Sequence, residues 1–191
     1  MAKLKKTFWI DDVKQLNALC AAPRQEVLDA LSQIGTVSVA ELASVLGKPA
    51  DSLYYHLRVL LKVGLVTRAG HRLSKGRRES LFKTIAPQFG LKYRTGSEGN
   101  SPQVNAIIGS MLRLGLRDFK RGFLQQDITV SGRRRELWGL RKTGWLTPAG
   151  VEKVNAHIIS LIGAVGKTKP NGRLYGVTVL LAPLDSRSSK Q

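Results

Sequence analysis

The side chains of this sequence best equipped for chemistry are cationic and phenolic, and they fall into two clusters. Along residues 51–62, taken at about 100° per residue from Leu53, Asp51, Tyr55, Arg58 and Lys62 share one face, while Leu53, Leu57 and Leu60 share the opposite one. Ser52 and Val59 flank the polar face on one side and Tyr54 on the other. Further on, Arg68, Arg72, Lys75, Arg77 and Arg78 crowd the stretch around Ser74-Lys75-Gly76. Guanidinium forks match phosphate oxygens with paired donors, so the second cluster suits a phosphate backbone. Hydroxyls, a carboxylate and a guanidinium on one helix face suit the edges of bases. Nothing points to catalysis: there is no phosphate-cradling glycine loop, no Cys/His or Ser/His arrangement at informative spacing and no paired carboxylates in a recognisable setting. No cofactor is implied.

The elements that must carry these clusters can be read locally. Ser38 and Glu41 have the spacing of a capping box, which starts a helix there. Val39, Leu42, Ala43 and Leu46 recur at helical spacing. Gly47 suits the left-handed turn that ends the helix, and Pro49 the first turn of the next, which runs to about Lys62. Lys48 sits in the turn between them, and Ala50 opens the second helix. Gly64 closes that helix. Leu65 to Arg68 then begins an extended segment that returns as Glu79 to Ile85, giving a hairpin with a basic tip.

Upstream, Phe8-Trp9-Ile10 is short and apolar, and Asp11 or Asp12 caps a helix to about Ala21. Pro23 opens another helix whose stripe is Val27, Leu28, Leu31 and Ile34, closed by Gly35. Three helices therefore precede the one bearing the polar face. Cys20 reads as a small packing residue, and His56, at the core edge, as a hydrogen-bonded structural histidine.

Bulk composition sets the partners. The 31 Lys and Arg against 13 Asp and Glu leave a net charge of +18, which favours a polyanion, either nucleic acid or an acidic membrane surface. The excess is spread, with 15 basic and 7 acidic residues up to Lys92 and 16 and 6 beyond it. A single cysteine excludes an internal disulfide framework. No apolar run approaches the roughly 18 residues of a membrane span, and MAKLKK leads to no apolar signal core. A soluble cytoplasmic protein without membrane association is expected.

From Leu16 to Pro87 the chain resembles the winged helix-turn-helix of the arsenic-repressor (ArsR) class of bacterial transcription regulators. The likeness rests on PRQEVLDAL, SVAELASVLGKPADSLYYHLRVLLKVGLV and GRRESLFKTIAP, in that order, and on the recognition-helix ending His56-Leu57-Arg58. It implies base contacts from Ala50, Asp51, Ser52, Tyr54 and Tyr55, and a homodimer placing two such helices in successive major grooves of double-stranded DNA. Asp51 serves either as a helix N-terminal acid or as a reader of a cytosine amino group. The paired cysteines or clustered His and acidic ligands of the metal-sensing branch are absent from the sequence, so no metal site is expected.

The second half is less specific. Gln88 to Ser101, rich in glycine, reads as a linker. From Pro102 a long helix carries Val104, Ile107, Ile108, Met111, Leu112, Leu116, Phe119 and Phe123, and its Gly109, Gly115 and Gly122 permit close approach of another backbone. Glu136 to Thr147 and Leu174 to Ala182 read as strands around a helix opened by Pro148, a β-α-β unit. Phe123, Trp138, Trp145 and Tyr175 are candidates to line a small-molecule effector pocket, with core packing the competing reading. Arg133, Arg134 and Arg135 suit either phosphate or solvent.

The expectation is an α+β protein. A winged helix-turn-helix DNA-binding domain occupies 1–87, a linker 88–101, and a smaller C-terminal α+β dimerisation or effector module 102–191. Lys48, Lys62 and the hairpin cations complete the expected DNA contacts. Two rival functions use the same residues: a sequence-independent architectural DNA-binding protein, and a small-molecule-binding protein that uses the winged helix for assembly.

Overall fold

The computed structural model of the chain describes residues 7–74, 76–97, 99–166 and 172–184, apart from the side chain of Arg77. The elements run β1 (Thr7–Ile10), α1 (Val13–Leu19), α2 (Ala22–Ile34), β2 (Val37–Ser38), α3 (Val39–Leu46), α4 (Ala50–Lys62), β3 (Val66–Ser74), β4 (Arg77–Thr84), β5 (Gln88–Leu91), α5 (Ser101–Gly122) and α6 (Pro148–Val165). Together these elements make an α+β chain. Among the described residues no helix is long and apolar enough to cross a membrane.

Local chemistry sets the boundaries of the central helices. The Ser38 hydroxyl accepts from the Glu41 amide at 3.3 Å and the Glu41 carboxylate accepts from the Ser38 amide at 2.8 Å, so α3 starts on a reciprocal cap. Gly47 ends α3 at φ +60°, where a side chain would be strained, and the chain then enters α4 after Pro49. Asp12 caps α1 by accepting from the Gln15 amide.

One core holds these helices. Leu16, Val27, Leu31, Leu42, Leu53, Leu57, Leu60 and Leu65 are buried together with Val37, Val66 and Phe82 from the sheet. That sheet has the order β2-β4-β3 and is antiparallel throughout, with Val37 opposite Phe82 and Val66 opposite Thr84. The β3–β4 hairpin is the wing; a register shift between Arg68 and His71, at Gly70, bends it.

The expected linker over 88–101 is corrected. Gln88–Leu91 is strand β5, parallel to β1, with Phe8 opposite Phe89 and Trp9 opposite Gly90. A Cβ at Gly90 would lie 2.8 Å from the Trp9 ring, so this crossing depends on glycine. Beyond it, Asn100 closes the loop by donating to the Lys92 carbonyl at 2.7 Å and accepting from the Arg94 amide at 2.9 Å, and Lys92 and Arg94 both pair with Asp11.

Nor does α5 begin a separate body. It packs against α1 and α2, with Ile107 in the common core. Gln25, buried on α2, donates to the carbonyls of Leu19 and Ile107, and Ser110 donates to the Cys20 carbonyl at 2.6 Å, which ties the three helices through their backbones. The winged-helix core thus extends through the first turns of α5.

The expected β-α-β unit is present only as its helix. Neither 136–147 nor 174–182 forms a strand among the described residues, because neither finds a hydrogen-bonding partner strand. α6 starts on a Thr147 cap, and no residue in it is buried. The glycines of α5 do meet other chain: a Cβ at Gly115 would touch Thr178 and one at Gly122 would collide with Leu137 at 2.6 Å.

Candidate nucleic-acid interface

The buried face of α4, through Leu53, Leu57 and Leu60, fixes which side chains it presents outward. Asp51, Ser52, Tyr54, Tyr55, Arg58 and Lys62 are all exposed, and Ala50 is half-buried at the helix start. Tyr54 and Tyr55 expose 52% and 59% of their surface, far more than burial-driven packing leaves to aromatic rings. Asp51 lies in the first turn, where a carboxylate complements the helix dipole, and Lys62 lies in the last, where a cation does. The Ser52 hydroxyl donates to the Pro49 carbonyl at 2.7 Å, so it also serves the helix start.

Between the start of α3, the outer face of α4 and the wing lies a cleft of about 410 Å³. Arg58, Arg68 and Arg78 line it with Tyr54, over an apolar floor that includes Val39, Leu57 and Phe82. Glu79 is its acidic lining residue. Three guanidiniums converging from a helix and two strands form a cationic recess beside the helix face, suited to one backbone phosphate and its neighbours.

Two of the expected contact residues have other occupations. Arg72 lies 3.0 Å from the Glu41 carboxylate and 3.3 Å from that of Glu79, so it straps the wing to the capped start of α3. Hydrogen bonds to Glu41 and then Glu79 raise the Arg72 pKa above its ordinary value. Glu41 is held below the usual carboxylate range, first by the Ser38 amide and then by Arg72. Lys48 turns inward and pairs with Glu26 of α2, which also takes a bidentate pair from Arg117 of α5 at 2.7 and 3.2 Å. Burial pushes the Glu26 carboxyl up, but Arg117 and Lys48 outweigh it and hold the group below its ordinary 4.5. Lys75 and the side chain of Arg77 lie outside the described residues.

His56 departs from its expected hydrogen bond: its Nδ1 is buried without a partner among the described residues, and its ring meets Tyr55 edge-on at 5.3 Å. Burial, then the positive charges of Arg24 and Lys48, push its pKa below 6.5, so the neutral ring is favoured. Sequence reasoning missed the Lys48–Glu26–Arg117 link entirely. Its members are 22 and 91 residues apart from Glu26, and no local pattern joins them.

Three of the four effector candidates have side-chain partners in the structure. Phe123 meets Phe119 edge-on at 5.1 Å, Trp138 lies under the Arg135 guanidinium at 4.4 Å, and the Tyr175 hydroxyl donates to Glu136. Trp145 is 95% exposed. Glu136 gathers polar groups, accepting from the Thr129 amide and pairing with Arg173.

With this geometry in place, comparison with known proteins adds one finding: a family model described as a helix-turn-helix domain matches residues 24–69, from α2 into β3. No curated protein matches the chain. The matched span contains the whole of α4 and ends at the start of the wing, which makes the class of this region that of a DNA-binding helix-turn-helix.

Proposed function

We propose that the protein is a sequence-specific transcription regulator of the arsenic-repressor-like, non-metal-sensing kind, acting in the cytoplasm as a homodimer on a pseudo-palindromic operator. The observation that carries this reading is the exposed face of α4, where Tyr54, Tyr55 and Arg58 stand clear beside the Arg68–Arg78 recess of the wing. A protein that only gripped backbone would need the cations and not the two exposed phenols. In this reading Tyr55, with Ala50, Asp51, Ser52 and Tyr54, meets base edges, Lys62 supports them, and Arg58, Arg68 and Arg78 hold phosphates. Two-fold symmetric half-sites roughly 34–36 Å apart follow from the geometry of such motifs.

The functional unit for DNA includes the first turns of α5 as well as the winged helix, and the rest of the chain supplies assembly or an effector response. The test is selection of bound sequences from a random duplex pool, followed by Tyr55→Ala on the selected site. A specific reader loses about 1–3 kcal/mol there and little on random DNA. Equal losses on both duplexes would leave the architectural reading in its place.

A further inference from the structure

The least satisfied part of the molecule lies after α5. Residues 123–184 contribute seventeen exposed large apolar side chains among the described residues, including Trp145, Leu140 and Leu180. At on the order of 100 Å² of open surface for each large side chain, that region exposes an apolar area of the size class that obligate homodimers bury per partner.

Its most demanding piece is Leu174–Ala182. The sequence LYGVTVLLA carries no charge, and Leu174, Tyr175, Val177, Val179, Leu180 and Leu181, at odd and even positions alike, are exposed. A continuous apolar run of this kind belongs inside a sheet covered on both faces, not at an open edge. Among the described residues the backbone here has no partner strand, although Thr178 already rests against Gly115 of α5.

We propose that Leu174–Ala182 pairs with the same segment of a second copy of this chain, antiparallel about a two-fold axis, and that the Ile158–Ile162 face of α6 covers the joined strands. This deepens, and rests on, the homodimeric reading above. Three observations select a second copy as the occupant. Backbone amides need a β partner, which an acyl surface cannot supply. Copies carrying +18 each repel across basic surfaces, whereas neither 174–184 nor 154–165 contains a Lys, Arg, Asp or Glu. An uncharged strand set antiparallel to itself is also self-complementary, as a two-fold interface requires.

The experiment uses the full chain. Sedimentation velocity across a dilution series is combined with amide hydrogen exchange, on the wild type, on Val177→Pro with Val179→Pro, and on Leu180→Asp, with far-UV circular dichroism reporting the helices. The wild type sediments as a dimer, and the 174–182 amides lose protection on dilution. Each variant keeps its helical signal and weakens dimerisation by roughly a hundredfold or more. Three outcomes overturn the proposal: a dimer unchanged in both variants, protection of 174–182 that does not depend on concentration, and a monomer that floats with anionic phospholipid vesicles. A free monomer that still places two copies on a symmetric site overturns this interface and leaves the regulatory reading standing. One copy on an asymmetric site removes the homodimer as well.

Discussion

The winged helix and the region beyond α5 carry apolar stripes of similar quality and meet opposite fates. In α4, Leu53, Leu57 and Leu60 at helical spacing are essentially inaccessible. In α6, Val151, Leu161 and Val165 at comparable spacing are exposed, and the helix has no buried residue. Periodicity specifies which face is apolar. Whether that face is covered depends on partners supplied from elsewhere, fully by α2, α3 and the wing in one case and only in part within the described chain in the other, where Val154, Ile158 and Ile162 are half-buried.

Truncating one leucine in each region tests that contrast most directly. Leu57→Ala should cost about 2–5 kcal/mol of unfolding free energy, since the residue is only 1% exposed. Leu161→Ala, measured in chain dilute enough to be monomeric, should change stability by less than about 0.5 kcal/mol. Denaturant titration followed by circular dichroism reads both. Comparable losses would mean that α6 is covered within one chain, and the contrast would collapse.

The next largest effect is expected where α5, which leads into the second region, meets the helix-turn-helix. Arg117 of α5 and Lys48 of the helix-turn-helix share Glu26, which has only 12% of its side chain exposed. Glu26→Gln takes the carboxylate away from Lys48 and leaves Arg117 with Asp118 alone, and should cost about 1–3 kcal/mol. Because the folded-state pKa of Glu26 lies below its ordinary 4.5, the contribution of its charge is complete above that pH and is lost as pH falls through the depressed folded value. The stability difference between wild type and Glu26→Gln should therefore shrink below about pH 4.5 and be flat through neutrality. A difference that grows on acidification would contradict the link.

The same contrast explains what could be read from the sequence. Ser38, Glu41, Gly47 and Pro49 act on backbone groups within a few residues, so the start and stop of α3 and α4 were legible. The outward set of α4 followed from the leucines opposite it. β5 was not legible, because Gln88–Leu91 becomes a strand only by meeting β1 some eighty residues earlier, and Gly90 is there to clear Trp9 rather than to loosen the chain. For 136–147 and 174–182 the difficulty is reversed. Their composition suits strands, but a strand is a relation between two segments, and composition supplies only one of them.

The smallest expected effect separates wing cations that look alike in sequence. Arg68 and Arg78 are exposed along the cleft, whereas Arg72, on the same hairpin, is held between Glu41 and Glu79. Each phosphate neutralised on duplex DNA contributes about 0.9 to the slope of log affinity against log salt concentration. Arg68→Ala and Arg78→Ala should each flatten that slope by nearly this amount on every sequence, specific or random. Arg72→Ala should flatten it much less, since its charge is already met by two carboxylates, and should instead loosen the wing, seen as faster amide exchange in 68–80. If Arg72→Ala flattens the slope as much as Arg78→Ala, DNA draws Arg72 out of its strap, and the wing is remade on binding instead of being presented ready-formed.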